Sequence, residues 1–309
     1  LAVVLQVEGS VPRRPGAMLA VAAGDARGTV GGGALEARVL EAAEAVRRGE
    51  PDRTIAIDLG GSPREVRDGI CGGRMWVGVR RLDPARDAGM LTGAVARLAA
   101  GEAAVIVAGE AGWAAGADAE ASAAAREVHL SLGSLEDGGR WRLHLPPRPV
   151  LLVVGAGHCG TALAAAATPL GYEVRVHDDR PEARRLAAAV PGAVVAEGSI
   201  AAAVGSIDPR RELLVAIVTR SFAHDLEALE AVRGRPVGFL GLMGSRRRLG
   251  TVMGMLRDRG WTPQDLSRLQ TPIGIDIAAE TPEEIAVSIL AAIIRHRATA
   301  ASGTASPRS

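Results

Sequence analysis

Hydrophobic and polar positions follow different patterns in the two halves of the chain. In the first half, short apolar runs alternate irregularly with amphipathic stretches, which predicts a mixture of strands and helices. The predicted strands are 1–7, 17–22, 55–59, 75–82, 103–107 and 141–145, the predicted helices are 38–48 and 86–100, and 111–125 is expected to form a loop or a weak helix.

The second half alternates apolar runs with helical stretches in a regular order, which predicts a parallel sheet with right-handed crossovers. The predicted strands are 150–154, 174–176, 194–196, 213–218 and 237–240. The last helix is expected to begin with Thr281 as its N-cap, Pro282 at its first position and Glu284 completing a capping box, and to end near Arg297.

Three prolines within residues 146–149 cannot continue a helix or a central strand, and they therefore predict a linker between the halves. The predicted fold class is α/β. A small mixed α+β N-terminal domain over residues 1–146 is followed by a Rossmann-like, doubly wound parallel-sheet domain over residues 147–297. The small and polar residues 298–309 are expected to form a disordered tail.

The second domain begins with a glycine-rich turn in the context that a dinucleotide fingerprint requires. Gly155, Gly157 and Gly160 form a G-x-G-x-x-G turn between an apolar strand and a helix, and a second strand ends at Asp178 and Asp179. Gly155 permits the tight turn, Gly157 lets a phosphate approach the backbone, and Gly160 lets the helix pack closely on the strand. The helix N-terminus then offers N–H groups to an anion.

Composition narrows the class of protein. At 309 residues with a net charge of +1 and almost half of the residues hydrophobic, the chain is typical of a two-domain soluble globular protein rather than a nucleic-acid-binding polycation. No apolar run reaches the roughly 18 residues of a membrane span. Two distant cysteines argue against a disulfide scaffold, which favours a cytoplasmic location. The sequence begins at Leu1 without an initiator Met, so we expect further residues before it.

All 36 basic residues are arginine. The sequence therefore contains no P-loop lysine, Schiff-base lysine or lysine general base. Enzyme mechanisms that depend on one of these lysines are therefore excluded.

Three motifs of the first half are candidates for binding. The loop at residues 8–16 carries Ser10, Arg13 and Arg14, and paired guanidiniums bind phosphate or carboxylate, although a hairpin loop with solvated arginines remains an alternative. Three glycines at positions 31–33 lead into a helix that carries Glu36, and they predict an anion-binding turn or a tight packing contact.

The third motif is Cys71-Gly72-Gly73-Arg74, where the glycines leave the sulfur approachable and Arg74 favours the thiolate. Cys71 is thus a candidate metal ligand, with a small buried side chain as the alternative. Cys159 lies at a variable fingerprint position, and we expect it to face the packing of helix on sheet.

Two further groups of polar residues follow strands of the second half, where open α/β sheets bind their ligands. His224 and Asp225 come after one strand, with Asp225 as a ligand-binding residue or a helix N-cap. Gly244, Ser245 and Arg246 come after the next strand. Ser245 is expected to cap a helix whose first-turn arginines need an anion or a carboxylate to balance them.

These motifs together resemble the XdhC/CoxI family, the xanthine dehydrogenase accessory proteins. The matching elements occur in family order and cover nearly the whole chain. They are residues 8–16, 28–36, 71–73, 155–160, 178–180, 224–225, 244–246 and 272–284. Three features depart from the family pattern: Cys159 replaces a larger aliphatic residue, Pro169 is expected to end or kink the first Rossmann helix, and the usual N-terminal helix is absent.

The resemblance implies a cytoplasmic, homodimeric accessory protein rather than an enzyme, with no catalytic residues of its own. It implies that the protein binds molybdenum cofactor, supports sulfuration of the cofactor by a cysteine desulfurase, and delivers it to a molybdenum hydroxylase such as xanthine dehydrogenase. The cofactor-binding residues that it implies are Ser10, Arg13, Arg14, Gly31, Gly32, Gly33, Glu36, Cys71, Gly72, Gly73, Gly155, Gly157, His158, Gly160, Asp178, His224, Asp225, Gly244, Ser245 and Arg246.

Two other interpretations stay open. An NAD(P)-dependent oxidoreductase fits the fingerprint and Asp178, although no Tyr-x-x-x-Lys pair exists in a chain without lysine. The second interpretation is a nucleotide-sensing or interaction module that catalyses no reaction. We also hypothesise that Cys71, the 31–33 turn, the 155–160 turn and Ser245 converge on one cleft, within one chain or across a dimer.

Overall fold

The computed structural model describes residues 1–59, 72–109, 112–116, 129–132 and 141–302. The chain divides into two compact units, Leu1–Pro147 and Arg148–Ser309. Among the described residues, no helix combines the length and the apolar character that crossing a membrane requires.

The first part of unit 1 is an antiparallel sheet. In the described residues it has five strands, in the order β3-β2-β1-β5-β4. Its strands are β1 (Ala2–Glu8), β2 (Met18–Ala22), β3 (Asp25–Gly28), β4 (Arg53–Asp58) and β5 (Arg74–Val79). Helix α1 (Gly33–Arg47) covers one face.

Alternate residues of β1 serve opposite faces of this sheet. Val4 packs in the cluster that contains Val39 of α1, whereas Val3 and Leu5 pack with Trp141 on the other side. Both faces are therefore buried within unit 1, which the period-two alternation of a strand makes possible.

The other side of that sheet meets a second antiparallel sheet and a helix. The described strands β6 (Ala104–Gly109), β7 (Gly112–Gly116), β8 (His129–Leu132) and β9 (Trp141–Leu145) pair in the order β7-β6-β9-β8. Helix α2 spans Pro84–Ala99, and the Asp83 side chain caps it by accepting hydrogen bonds from the N–H groups of Ala85 and Arg86.

The expectation of a loop or weak helix at 111–125 is wrong for residues 112–116, which form β7; residues 117–125 lie outside the described residues. Gly and Ala have little intrinsic strand preference, so pairing with the apolar strand β6 decides the conformation here.

Unit 2 contains the parallel sheet that the alternating pattern predicted. As described, its strand order is β12-β11-β10-β13-β14-β15, and every pair is parallel. The strands are β10 (Val150–Val154), β11 (Glu173–His177), β12 (Ala193–Val195), β13 (Leu213–Ile217), β14 (Phe239–Leu242) and β15 (Leu269–Gln270). The strand order reverses between β10 and β13, which opens a crevice beyond their carboxyl ends.

Helices cover both faces of this sheet. Side chains of β10 alternate between two apolar clusters, with Leu152 in one and Leu151 in the other. The described helices are α3 (His158–Ala167), α4 (Pro181–Ala188), α5 (Ile200–Gly205), α6 (Phe222–Val232), α7 (Arg246–Asp258), α8 (Pro263–Ser267) and α9 (Pro282–Ser302). The doubly wound, Rossmann-like fold is confirmed.

Two local predictions about helix ends are confirmed. Helix α3 ends at Ala167, and the 3₁₀ turn Thr168–Leu170 that contains Pro169 follows it. Glu284 donates its N–H to the Thr281 hydroxyl, and its carboxylate accepts the Thr281 N–H, so the predicted capping box forms. The helix continues to Ser302 rather than ending near Arg297, because the small residues after Arg297 have nothing that stops a helix.

Candidate functional site

A cavity of about 590 Å³ lies within unit 2, where strands β10, β11 and β13 end. Several predicted residues line this cavity, namely Gly155, Gly157, His158, Asp178 and His224. Gly160, Asp225, Gly244, Ser245 and Arg246 belong to the same unit but are not among the residues that line it.

The glycines of the turn have distinct roles. A Cβ on Gly155, whose φ is +109°, would lie 2.9 Å from the Val218 carbonyl oxygen, and a Cβ on Gly160 would overlap the Gly155 carbonyl oxygen. A Cβ on Gly157 would meet nothing within 4 Å in the described part of the chain. Gly155 and Gly160 are therefore needed for packing, whereas Gly157 leaves open space next to the cavity.

Helix α3 begins at this open space. Gly157 is its N-cap, and among the described residues no side chain caps the helix or places an acid in its first turn. The first N–H groups of a helix and its dipole attract anions. The turn can thus hold a phosphate or carboxylate group supplied by a ligand.

Asp178 binds the glycine turn itself. Its Oδ2 accepts the Ala156 N–H at 2.7 Å, and its two oxygens accept the Arg180 guanidinium at 2.9 and 2.8 Å. Its side chain is 4% exposed. Burial alone would raise the pKa of this carboxyl, but Arg180 and the Ala156 N–H outweigh that effect and hold the pKa well below its usual value.

The Asp178 carboxylate connects two loops of the protein, and its predicted role in binding a ligand stays a prediction. The sequence indicated the acid but not its partners, because the Arg180 contact depends on how the loop turns after β11. Arg180 lines the cavity as well, and no sequence pattern had assigned it a role.

The next residue, Asp179, faces outward. Its Oδ2 lies 3.4 Å from Nε2 of His224, and the side chains of Asp179 and His224 are 55% and 35% exposed. Both residues line the cavity.

Asp225 belongs to a buried ion pair and does not cap a helix. Its carboxylate accepts the Arg248 guanidinium at 2.5 Å and the Thr219 hydroxyl at 2.6 Å, and the residue is fully buried. Ser221 caps α6 in its place. This corrects the expectation that Asp225 is either an N-cap or a ligand-binding residue, since a carboxylate paired so completely with Arg248 is a structural tie between α6 and α7.

The arginine-rich first turn of α7 is organised as expected in one respect. Ser245 caps the helix through its hydroxyl, which accepts the Arg248 N–H. The carboxylate that balances Arg248 is Asp225, whereas Arg246 is exposed.

Cys159 lines the cavity and is partly exposed, which corrects the expectation that it faces the packing of helix on sheet. It occupies the first turn of α3. Among the described residues, no group of three or more His, Cys, Asp and Glu side chains is arranged to hold a metal ion.

A carboxylate from helix α1 binds the glycine turn of unit 1. Glu36 Oε2 accepts the Thr29 hydroxyl at 2.5 Å and the N–H groups of Val30 and Gly32 at 3.1 and 3.3 Å. The Thr29 hydroxyl and these N–H groups lower the pKa of Glu36 against the effect of burial. Glu36 therefore engages the Val30 and Gly32 donors of this turn, and the Thr29 hydroxyl accepts a hydrogen bond from the Gly31 N–H.

The glycines at positions 31 and 73 both pack against the loop between β1 and β2. A Cβ on Gly31 would lie 2.6 Å from Cγ of Pro12, and a Cβ on Gly73 would lie 2.5 Å from the Glu8 carbonyl oxygen. The loop between β1 and β2 is thus enclosed by two glycine segments that are distant in sequence. The predicted side chains of this loop, Ser10, Arg13 and Arg14, are exposed.

Cys71 lies outside the described residues, so its predicted role as a metal ligand stays a prediction. The same holds for the hypothesis that it shares one cleft with the 31–33 turn, the 155–160 turn and Ser245.

Comparison with known proteins identifies the family. The family model described as XdhC and CoxI matches residues 1–58, and the model described as the XdhC Rossmann domain matches residues 151–293. The chain belongs to the XdhC and CoxI family. The family predicted from the ordered motifs is confirmed.

Two curated relatives share about half of the chain. One is the uncharacterized protein YqeB of Escherichia coli K12, which is 36% identical over 157 residues, or 50% of this chain and 29% of that protein. The other, from Bacillus subtilis 168, is named as a probable xanthine dehydrogenase subunit; it is 31% identical over 162 residues, or 50% of this chain and 44% of that protein. The chain thus spans less than half of the length of either relative.

A solved structure matches the chain over nearly its whole length. It is a crystal structure described as a xanthine dehydrogenase from Bacillus halodurans, with a TM-score of 0.77 and 25% identity, covering 99% of this chain and 93% of that one. The names of the family and of these relatives point to xanthine dehydrogenase.

Replacing Asp178 with Asn removes the charge that Arg180 and the glycine turn bind. We expect the free energy of unfolding at neutral pH to fall by about 2–4 kcal/mol, the scale for breaking a buried charged contact. Because folding lowers the pKa of Asp178, its stabilisation is present above the unfolded-state pKa of about 3.9 and is lost as the pH falls below it.

Urea denaturation at neutral pH and at about pH 3 measures this effect. The difference between wild type and Asp178→Asn should narrow at the lower pH, while Asp258→Asn, a matched change at an exposed position, should cost little at either pH. A difference that stays constant between the two pH values would contradict the assignment of the stabilising charge to Asp178.

Proposed function

We propose that this chain binds molybdenum cofactor, supports its sulfuration, and delivers it to a molybdenum hydroxylase of the xanthine dehydrogenase type. Membership in the XdhC and CoxI family and the names of the relatives support an accessory role for xanthine dehydrogenase. The observation that carries the proposal furthest is the open, uncapped helix N-terminus at Gly157, which borders the cavity of unit 2.

The cavity suits the phosphate end of such a cofactor. Molybdenum cofactor is a pterin with a dithiolene, a phosphate and a metal centre. A volume of about 590 Å³ is within the range of small-molecule sites. The N–H groups at the start of α3 would hold the phosphate, since Asp178 takes up only the Ala156 N–H of the turn.

We propose that a sulfur side chain holds or shields the metal. Thiolates suit soft metal centres, and Cys71 is our candidate for holding or shielding the metal. Cys159 offers a second sulfur on the cavity wall. When bound, the cofactor supplies the metal centre that the recipient hydroxylase uses.

The chain itself is proposed to be a carrier without turnover. Two of its acids, Asp178 and Asp225, form ion pairs within the chain, with Arg180 and Arg248. A cysteine desulfurase is the proposed donor of sulfur, a homodimer is the proposed assembly, and the hydroxylase is the proposed recipient.

An NAD(P)-dependent oxidoreductase is the alternative, favoured by the glycine turn and the strand order of unit 2. The position of Asp178 weighs against it. The acid at this position accepts ribose hydroxyls in dinucleotide-binding proteins, whereas here both oxygens of the carboxylate accept hydrogen bonds from the chain.

The phosphate site is tested by Gly157→Val. We expect the variant to lose bound cofactor when it is purified from a host that makes molybdenum cofactor, because the side chain occupies the space that the phosphate needs. Gly254→Val is the matched control, since a Cβ at Gly254 in α7 also meets nothing within 4 Å in the described chain and lies away from the cavity. Pterin content by fluorescence and molybdenum content by mass spectrometry are the measurements.

Retention of a stoichiometric pterin in Gly157→Val would place the phosphate elsewhere. A wild-type protein that never carries pterin, but oxidises NADH with a simple carbonyl substrate, would establish the oxidoreductase alternative instead.

The metal end is tested by Cys71→Ser. We expect less molybdenum to be retained with unchanged thermal unfolding, because a hydroxyl is a poorer ligand for a soft metal than a thiolate. Cys159→Ser serves as the comparison and should retain more molybdenum than Cys71→Ser. Equal retention in wild type and Cys71→Ser would show that this sulfur does not hold the metal.

A further inference from the structure

Two consecutive acids at the end of β11 have opposite environments. Asp178 is turned into the glycine turn and is 4% exposed, whereas the side chain of Asp179 is 55% exposed and lines the cavity. The carboxylate that is available to a ligand on this loop is therefore that of Asp179.

His224 faces Asp179 from the other side of the crevice. Asp179 follows β11 and His224 lies in the first turn of α6, which follows β13, and these two strands flank β10. The contact of 3.4 Å between His224 Nε2 and Asp179 Oδ2 thus crosses the end of β10, where the glycine turn begins.

The cavity presents both a helix N-terminus and a carboxylate to a ligand, beside Arg180 and Arg220, which also line it. The helix N-terminus at Gly157 favours an anion, and Asp179 favours N–H or O–H donors. Glu182 on α4 and Glu227 on α6 are two further exposed carboxylates that line the cavity. A ligand that satisfies both ends carries a phosphate and, away from it, a pair of adjacent donors.

We propose that Asp179 determines specificity by accepting the paired N–H donors of a 2-amino-4-oxopyrimidine ring that carries a phosphate. The 2-amino group and the neighbouring ring N–H of such a ring point in parallel, which matches the two oxygens of a carboxylate. Pterins and guanine share this edge. The inference rests on the proposed function, since the cofactor proposed above is a pterin.

The test compares ligands that differ in the 2-amino group alone. We would titrate the full chain with 6-hydroxymethylpterin monophosphate and with its lumazine counterpart, which has an oxygen in place of the amino group, and follow ligand fluorescence. Wild type should bind the pterin about tenfold to a hundredfold more tightly, the range for a hydrogen bond to a charged group.

Asp179→Asn should lose most of that preference, because the amide replaces one acceptor oxygen with a donor. Asp258→Asn removes the same charge from an exposed position outside the cavity and should keep the preference. A second pair, guanosine monophosphate and inosine monophosphate, differs in the same amino group and distinguishes a guanine nucleotide from a pterin.

A wild-type preference that persists in Asp179→Asn would overturn the role of Asp179 and leave the proposed function standing. Binding of guanosine monophosphate with an Asp179-dependent preference, without binding of the pterin, would support the role of Asp179 and overturn the proposed function. Binding of neither ring by wild type would overturn both.

Discussion

The contact between the Asp178 carboxylate and the Ala156 N–H determines the form of the cavity in unit 2. It joins the loop after β11 to the glycine turn after β10, and it keeps Arg180 folded against the same carboxylate. With Asp178 occupied inside the protein, the space beside Gly157 and the first turn of α3 stays open to a ligand. The fold of a dinucleotide-binding domain is thus retained while its usual ribose-binding acid is engaged elsewhere.

The two glycine turns of the chain use carboxylates in different ways. In unit 1, Glu36 accepts the Val30 and Gly32 N–H groups, so the turn binds its own anion. In unit 2, Asp178 takes one N–H of the turn and leaves the helix N-terminus uncapped among the described residues. In the first turn, a carboxylate from the following helix accepts hydrogen bonds from two N–H groups of the turn. In the second turn, the start of the following helix stays open to the cavity.

Local signals in the sequence predicted five of the six described strands of unit 2, and the two-residue strand β15 was not predicted. The alternation of apolar runs and helices predicted the parallel sheet, Pro169 predicted the end of α3, and Thr281 with Glu284 predicted the start of α9. These features depend on residues a few positions apart, where propensity and capping act directly.

The partners of the charged residues could not be predicted in this way. Asp225 pairs with Arg248, 23 positions further along the chain, and the contact exists because the sheet brings α6 and α7 together. The sequence indicated Asp178 and Glu36 as candidate ligand-binding residues. Only the folded chain shows which N–H groups donate hydrogen bonds to their carboxylates. The partial exposure of Cys159 on the cavity wall was likewise not predicted.

The most direct test of this account is a titration of isotope-labelled protein with 6-hydroxymethylpterin monophosphate, followed by the amide resonances of both glycine turns. The account predicts large shifts for residues 157–160 and for Asp179, with the amides of Val30 and Gly32 unchanged because Glu36 already binds them. Shifts confined to residues 30–33, with none at 157–160, would contradict the assignment of the ligand site to unit 2.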